Sequence, residues 1–228
     1  MFKVSTKTGQ NINLDNPLFF DFQDKFLQIK ALAERGDSER EIEKISRQAL
    51  STLSFVLFAS YASQTQLELT SVSAAGAVAD AASEVRGVAK LFGVDIVMDT
   101  SPKLDLVYSH QLAIKAAVFG LLSGACTAAT NKPATSLTVS VQQTNINIQR
   151  IGIFSSDLDI SLTDINKAKT LANSSRMSAP SLSSDSGAGF VLAQKFVSLL
   201  SSELQTFSHK GQKGVGFYVP LSHQLSLV

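Results

Sequence analysis

The spacing at which apolar residues recur is helical up to about residue 66 and switches between strand and helix periods beyond it, and that change limits what this chain can fold into. Over "NPLFFDFQDKFLQIKALAERGDSEREIEKISRQALSTLSFVLFASYASQ", residues 16–64, the spacing is helical throughout. Asn16 can cap free N–H groups, and Pro17 loses nothing at a first helical position. Phe19, Phe22, Phe26, Ile29 and Ala33 then recur three or four residues apart as one seam. Gly36 suits a helix exit, and Ser38 with Glu41 has the capping-box spacing that starts a second helix. Ile42, Ile45, Ala49, Leu53, Val56, Leu57 and Ser60 carry its wide stripe. Two helices cannot cover such stripes by packing only on each other. A homodimer is therefore expected, with Phe19, Phe22, Phe26, Ile29, Ile42, Ile45, Leu53 and Val56 meeting a second hairpin in a four-helix bundle. The alternative is that the stripe packs on the rest of its own chain.

Past residue 66 strand and helix patterns alternate. "LELTSV" reads as a strand, "SAAGAVADAASEVRGVAKLFG" as a helix, "VDIVMD" as a strand and "SHQLAIKAAVFGLLSGACTAAT" as a helix. "TSLTVSVQQTNINIQRIGIF" predicts an antiparallel hairpin around "QQTN". "TDINKAKTLAN" and "AGFVLAQKFVSLLSS" predict two helices on either side of the serine-rich "SSRMSAPSLSSDSG", and "ELQTFS" with "GVGFYVPL" closes the chain as a strand pair around "HKGQKG". The class is α+β: an N-terminal extension over 1–15, a dimerising hairpin over 16–65, and over 66–228 an α/β sandwich with one mixed sheet and helices on one face. Residues 1–15 fit a small hairpin of unassigned role.

Composition narrows the function classes. Apolar residues at 44% and charged residues at 17% fit a folded protein with a real core. A formal charge of +1 without a basic cluster argues against nucleic acid as a partner. No apolar leader opens "MFKVSTKTGQ" and no apolar run reaches membrane-spanning length, so a cytoplasmic protein without a membrane partner is expected. The single Cys126 excludes an internal disulfide framework and a multi-cysteine zinc site.

The element order and local sequence resemble the histidine kinase core, a dimerising hairpin followed by an ATP-binding domain of the gyrase, Hsp90, histidine kinase and MutL type. In that family the helix matching residues 109–130 carries Asn-Leu-Leu-x-Asn-Ala, and its asparagines hold phosphates and magnesium. Here the frame reads Gly120, Leu121, Leu122, Ser123, Gly124, Ala125, so both amide ligands are gone. In "IGIFSSDLDIS", Ser155 stands where the resemblance implies the adenine-recognising aspartate, while Asp157 and Asp159 replace the glycines of that motif. "DSGAGFVLAQKFV" keeps Gly187 and Gly189 of the phosphate-closing turn but places Asp185 at its first glycine. Carboxylates there would repel a triphosphate. The family's phosphorylated histidine has no counterpart, because no histidine precedes His110.

The resemblance therefore implies a pseudokinase with no catalytic residues, no cofactor and no metal. It would act in two-component signalling by binding a response regulator receiver domain or a histidine kinase. Asp21, Asp24, Lys25, Gln28 and Arg35 mark the helix face where such kinases dock a receiver. The alternative is an ATP-independent histidine phosphotransferase relay. Asp157, Asp159 and Asp185 fit a cation cluster less well than three solvated loop residues. His110, His209 and His223 form no site with one another, and Cys126 reads as a buried small apolar group.

Overall fold

The computed structural model describes residues 17–36, 39–62, 67–129, 135–157, 162–173 and 187–222. Two helices come first, α1 (Pro17–Arg35) and α2 (Glu39–Ala62). Gly36 ends α1 at φ 72°, in the left-handed region that a side chain would resist. The expected hairpin extension at 1–15 lies outside the described residues.

The remaining elements are β1 (Thr70–Val72), α3 (Ala74–Ala89), β2 (Val94–Thr100), β3 (Val107–Ser109), α4 (Gln111–Ala128), β4 (Thr135–Asn145), β5 (Ile148–Ser155), α5 (Leu162–Asn173), α6 (Gly187–Leu199), β6 (Gln205–His209) and β7 (Gln212–Pro220). Ser73 starts α3, its Oγ accepting the Gly76 N–H at 3.1 Å. The main sheet has the order β2-β4-β5-β7-β6, parallel between β2 and β4 and antiparallel elsewhere.

The α+β class and the mixed sheet stand, with two corrections. The expected strand over 67–72 does not join the mixed sheet. Its ordered part, β1, pairs antiparallel with β3 as a separate two-stranded sheet, and β3 was not foreseen. Three residues carry too short an alternation to register as a strand by themselves. The second correction concerns "QQTN", which is strand and not a break. Gln143 is held by Asp105 and Gln142 by Arg150, and the turn falls at 146–147, where Asn147 N–H donates to Asn145 Oδ1 at 2.8 Å.

One sheet face carries the main core. Leu137, Val139 and Val141 of β4, Ile151 and Ile153 of β5, and Val215, Phe217 and Val219 of β7 pack with Ile114, Leu121, Phe196 and Val197 of the helices. Helix α4 is buried on nearly every side by α3, α6 and the sheet. Among the described residues it alone is long and apolar enough to cross a membrane by length and composition, and most of it lies inside the fold. Phe55 of α2 belongs to the same core, 5.0 Å from Phe119 of α4 between ring centroids.

Candidate functional site

Helices α4 and α6 meet at bare backbone. A β-carbon on Gly120 would lie 2.6 Å from the Gly189 carbonyl oxygen and 2.8 Å from the Ala193 nitrogen. One on Gly189 would lie 2.5 Å from both the Gly120 oxygen and the Gly124 nitrogen. Side chains do not tolerate such approaches to backbone, so Gly120 and Gly189 are glycine because the two helices touch there, with the Gly124 backbone on the other side of the contact. Sequence reasoning treats Gly120 and Gly124 as permitted by a lost ligand. The geometry adds that side chains are excluded from this contact, and the volume an asparagine would need at Gly120 is filled by α6.

Ser155 is buried at the end of β5, and its Oγ accepts the Asp157 N–H at 3.1 Å. Its hydroxyl thus closes its own turn. Ser156 Oγ donates to Asp157 Oδ1 at 3.0 Å, and Asp157 is exposed. Asp159 and Asp185 lie outside the described residues, as does the segment 174–186. Gly187 opens α6. Among the described residues no three His, Cys, Asp or Glu side chains gather as metal ligands. Cys126 is buried, and desolvation pushes its thiol up to about 12, which keeps it protonated at neutral pH.

On the hairpin, Asp21, Asp24 and Lys25 fall in α1, with their side chains outside what is described; Gln28 and Arg35 are exposed. Of the expected dimer-facing residues, Phe19, Phe22 and Val56 lie in α1 and α2 with undescribed side chains. Phe26 is exposed, Ile29, Ile42 and Leu53 are half-buried, and Ile45 is buried within the chain. Leu27, Leu50 and Leu57 are also exposed, which adds to the apolar surface the hairpin presents.

Two histidines have roles that spacing did not reveal. His110 caps the start of α4 without a side-chain bond to the helix, and its ring stacks on Phe58 of α2 at 5.3 Å. His209 is buried against Asp99, Gln142 and Phe154. Those partners come from three other strands, and no local motif marks them. His223 lies outside the described residues.

No protein-family model and no curated protein matches this sequence. Solved structures do match. The catalytic domain of the histidine kinase ThkA, in a nucleotide-free form, shares 13% identity at a TM-score of 0.53, the match covering 69% of this chain and 100% of that one. The mycobacterial sensor histidine kinase MprB shares 12% identity at a TM-score of 0.50, covering 68% of this chain and 99% of that one. Full-length ShkA in complex with AMPPNP shares 12% identity at a TM-score of 0.54, covering 80% of this chain but 39% of that chain. The fold is that of a histidine kinase catalytic domain. At these identities the likeness is one of architecture.

Proposed function

We propose that this chain is a catalytically inactive, histidine-kinase-like protein that works by binding in two-component signalling. It pairs with a second copy through the hairpin of residues 16–65, while 66–228 forms a degenerate nucleotide-site domain. It acts in the cytoplasm and docks a receiver domain or a histidine kinase on the α1 face that carries Asp21, Asp24, Lys25, Gln28 and Arg35. The observation that carries this reading is the backbone contact of Gly120 and Gly124 with Gly189. By the resemblance, phosphate and magnesium ligands belong on that helix, yet at Gly120 the contact has no space for a side chain. A surface can block or scaffold a receiver without transferring phosphate.

Calorimetric titration of the full chain with magnesium-ATP tests the inactive part, and the expected result is no binding heat. Tight binding there would overturn the reading. Capture of purified receiver domains on the immobilised protein tests the docking part, and Gln28→Glu with Arg35→Glu should weaken it. A relay reading draws on the packing of His110 against α2. Acid-labile label on this chain after incubation with a phosphorylated receiver would favour the relay over passive docking.

A further inference from the structure

The face of the sheet opposite the main core carries a closed polar chain that the nucleotide-site comparison does not involve. Strands β5 and β7 approach so closely that a β-carbon on Gly214 would lie 2.0 Å from the Ile153 oxygen, and one on Gly216 would lie 2.1 Å from the Ile151 oxygen. With glycine at these positions the sheet curls. The β6–β7 turn, Lys210 at φ 49° and Gly211 at φ 80°, then swings back across the face to β2, at the opposite edge of the strand order. There His209 Nε2 lies 2.7 Å from Asp99 Oδ2, and Lys210 Nζ lies 2.6 Å from the same oxygen. His209 Nδ1 lies 3.2 Å from Gln142 Nε2, and Arg150 Nη2 lies 2.5 Å from Gln142 Oε1.

The chemistry of the donors fixes every proton in this chain. Arginine only donates, so Gln142 must turn its oxygen to Arg150 and its NH2 to His209. His209 Nδ1 must then accept, and the ring proton sits on Nε2, donated to Asp99.

We infer that His209 is a proton-operated latch that ties the β6–β7 turn to β4 and β2 while the imidazole is neutral and releases it from Gln142 on protonation. Protonation creates no new bond at Nε2, which donates to Asp99 in either state. At Nδ1 it sets an N–H against an NH2. Gln142 cannot answer by flipping, because its NH2 would then face the Arg150 guanidinium. Asp99 from β2 favours the imidazolium. Lys210 from the turn and Arg150 from β5, whose guanidinium also lies over the rings of Phe154 and Phe207, oppose it. The carboxylate is already shared with Lys210. The ring is 7% exposed and lies against Phe154, so water cannot readily accept the new N–H.

This inference rests on the sheet alone and survives any outcome for nucleotide or receiver binding. Amide hydrogen exchange of the full chain, corrected for intrinsic rates, is compared at about pH 8 and about pH 5. Protection of β6 and of the β7 amides facing it should fall about tenfold at the lower pH, as for the loss of one hydrogen bond. Gln142→Glu offers a carboxylate to both Arg150 and a protonated Nδ1–H, and should keep its protection at the lower pH. Equal protection of the wild type at both pH values, or the same loss in the variant, would overturn the latch. Nitrogen NMR of the imidazole at the higher pH gives an independent reading. A proton found on Nδ1 would also overturn it.

Discussion

Gly189 is the position where one added methyl group says most about the contact between α4 and α6. In an open helix, glycine to alanine gains about 1 kcal/mol in helical propensity. Here the new carbon would lie 2.5 to 2.7 Å from Gly120 and Gly124 backbone atoms, so α4 and α6 must part along their shared apolar face. Overpacking of that kind costs roughly 1–3 kcal/mol, and strain against rigid backbone on both sides should exceed the propensity gain. Gly189→Ala should therefore lower the denaturant midpoint at unchanged slope. A higher midpoint would mean that the helices have room to spare. Asp99 makes a pH prediction. The hydrogen bond from Lys210, then that from His209, hold its carboxyl below the usual range, while burial works weakly the other way. A carboxylate lowered by folding contributes stability that is fully present above its unfolded pKa, about 4, and is lost as pH falls through the lower folded value. Asp99→Asn should accordingly be less stable than wild type at neutral pH, and the gap in melting temperature should close in acid below about pH 4. A gap that stays constant into acid would show that the carboxylate charge is not what matters there.

Helices were legible from spacing because their seams are long. α1, α2, α4 and α6 all fall where three- and four-residue recurrence puts them. β3 was not, since its three residues are strand only through pairing with β1, and the Val107 to Leu221 bridge holds it beside β7. The altered α4 frame could be recognised at Gly120 and Gly124, but not the reason for it. For Gly120 that reason lies in Gly189, about seventy positions downstream, and no single-sequence pattern links the two helices. The His209 chain was hidden for the same cause, its partners being Asp99, Gln142 and Arg150 on separate strands. At the level of elements, α2 is the one whose role changed most. Of the wide stripe read from the sequence, Ile45 and Ala49 are buried within the chain, and residues outside that stripe also turn inward: Phe55 meets Phe119 and Phe196, Phe58 stacks on Phe196, and Ser51 Oγ donates to Glu84, itself paired with Lys115. Phe55→Ala should cost roughly 3–5 kcal/mol, the range for emptying a buried aromatic site. The loss should appear as one cooperative shift of the whole unfolding curve. Separate melting of the hairpin, with the rest unchanged, would show that α2 is not part of the common core.

At the scale of the whole molecule, the question is what covers the other side of the hairpin. Phe55 commits α2 to the α/β core, and Ile45, Ala49, Thr52 and Ala62 are also buried by the chain itself. The hairpin's outer side still presents Phe26 at 52% exposure, Leu27 at 56%, Leu50 at 62% and Leu57 at 52%, from two adjacent antiparallel helices. Single exposed apolar residues need no explanation, whereas four large ones on one helical pair are apolar surface of the kind that accompanies association. Leu50 and Leu57 stand two turns apart, and Leu53 between them is half-buried, which makes the stripe continuous along α2. Covering it with the same stripe of a second copy is the self-complementary solution, since a two-fold axis sets like residues against like. Burying each leucine contributes roughly 1.5–3 kcal/mol, so losing two from each protomer should weaken association strongly. Leu50→Asp with Leu57→Asp should thus sediment as a monomer at micromolar concentration while keeping the wild-type circular dichroism, because neither side chain reaches the intramolecular core. Wild-type protein that already sediments as a monomer at that concentration would remove the homodimer from the proposal, and the apolar stripe would then be left to a different partner.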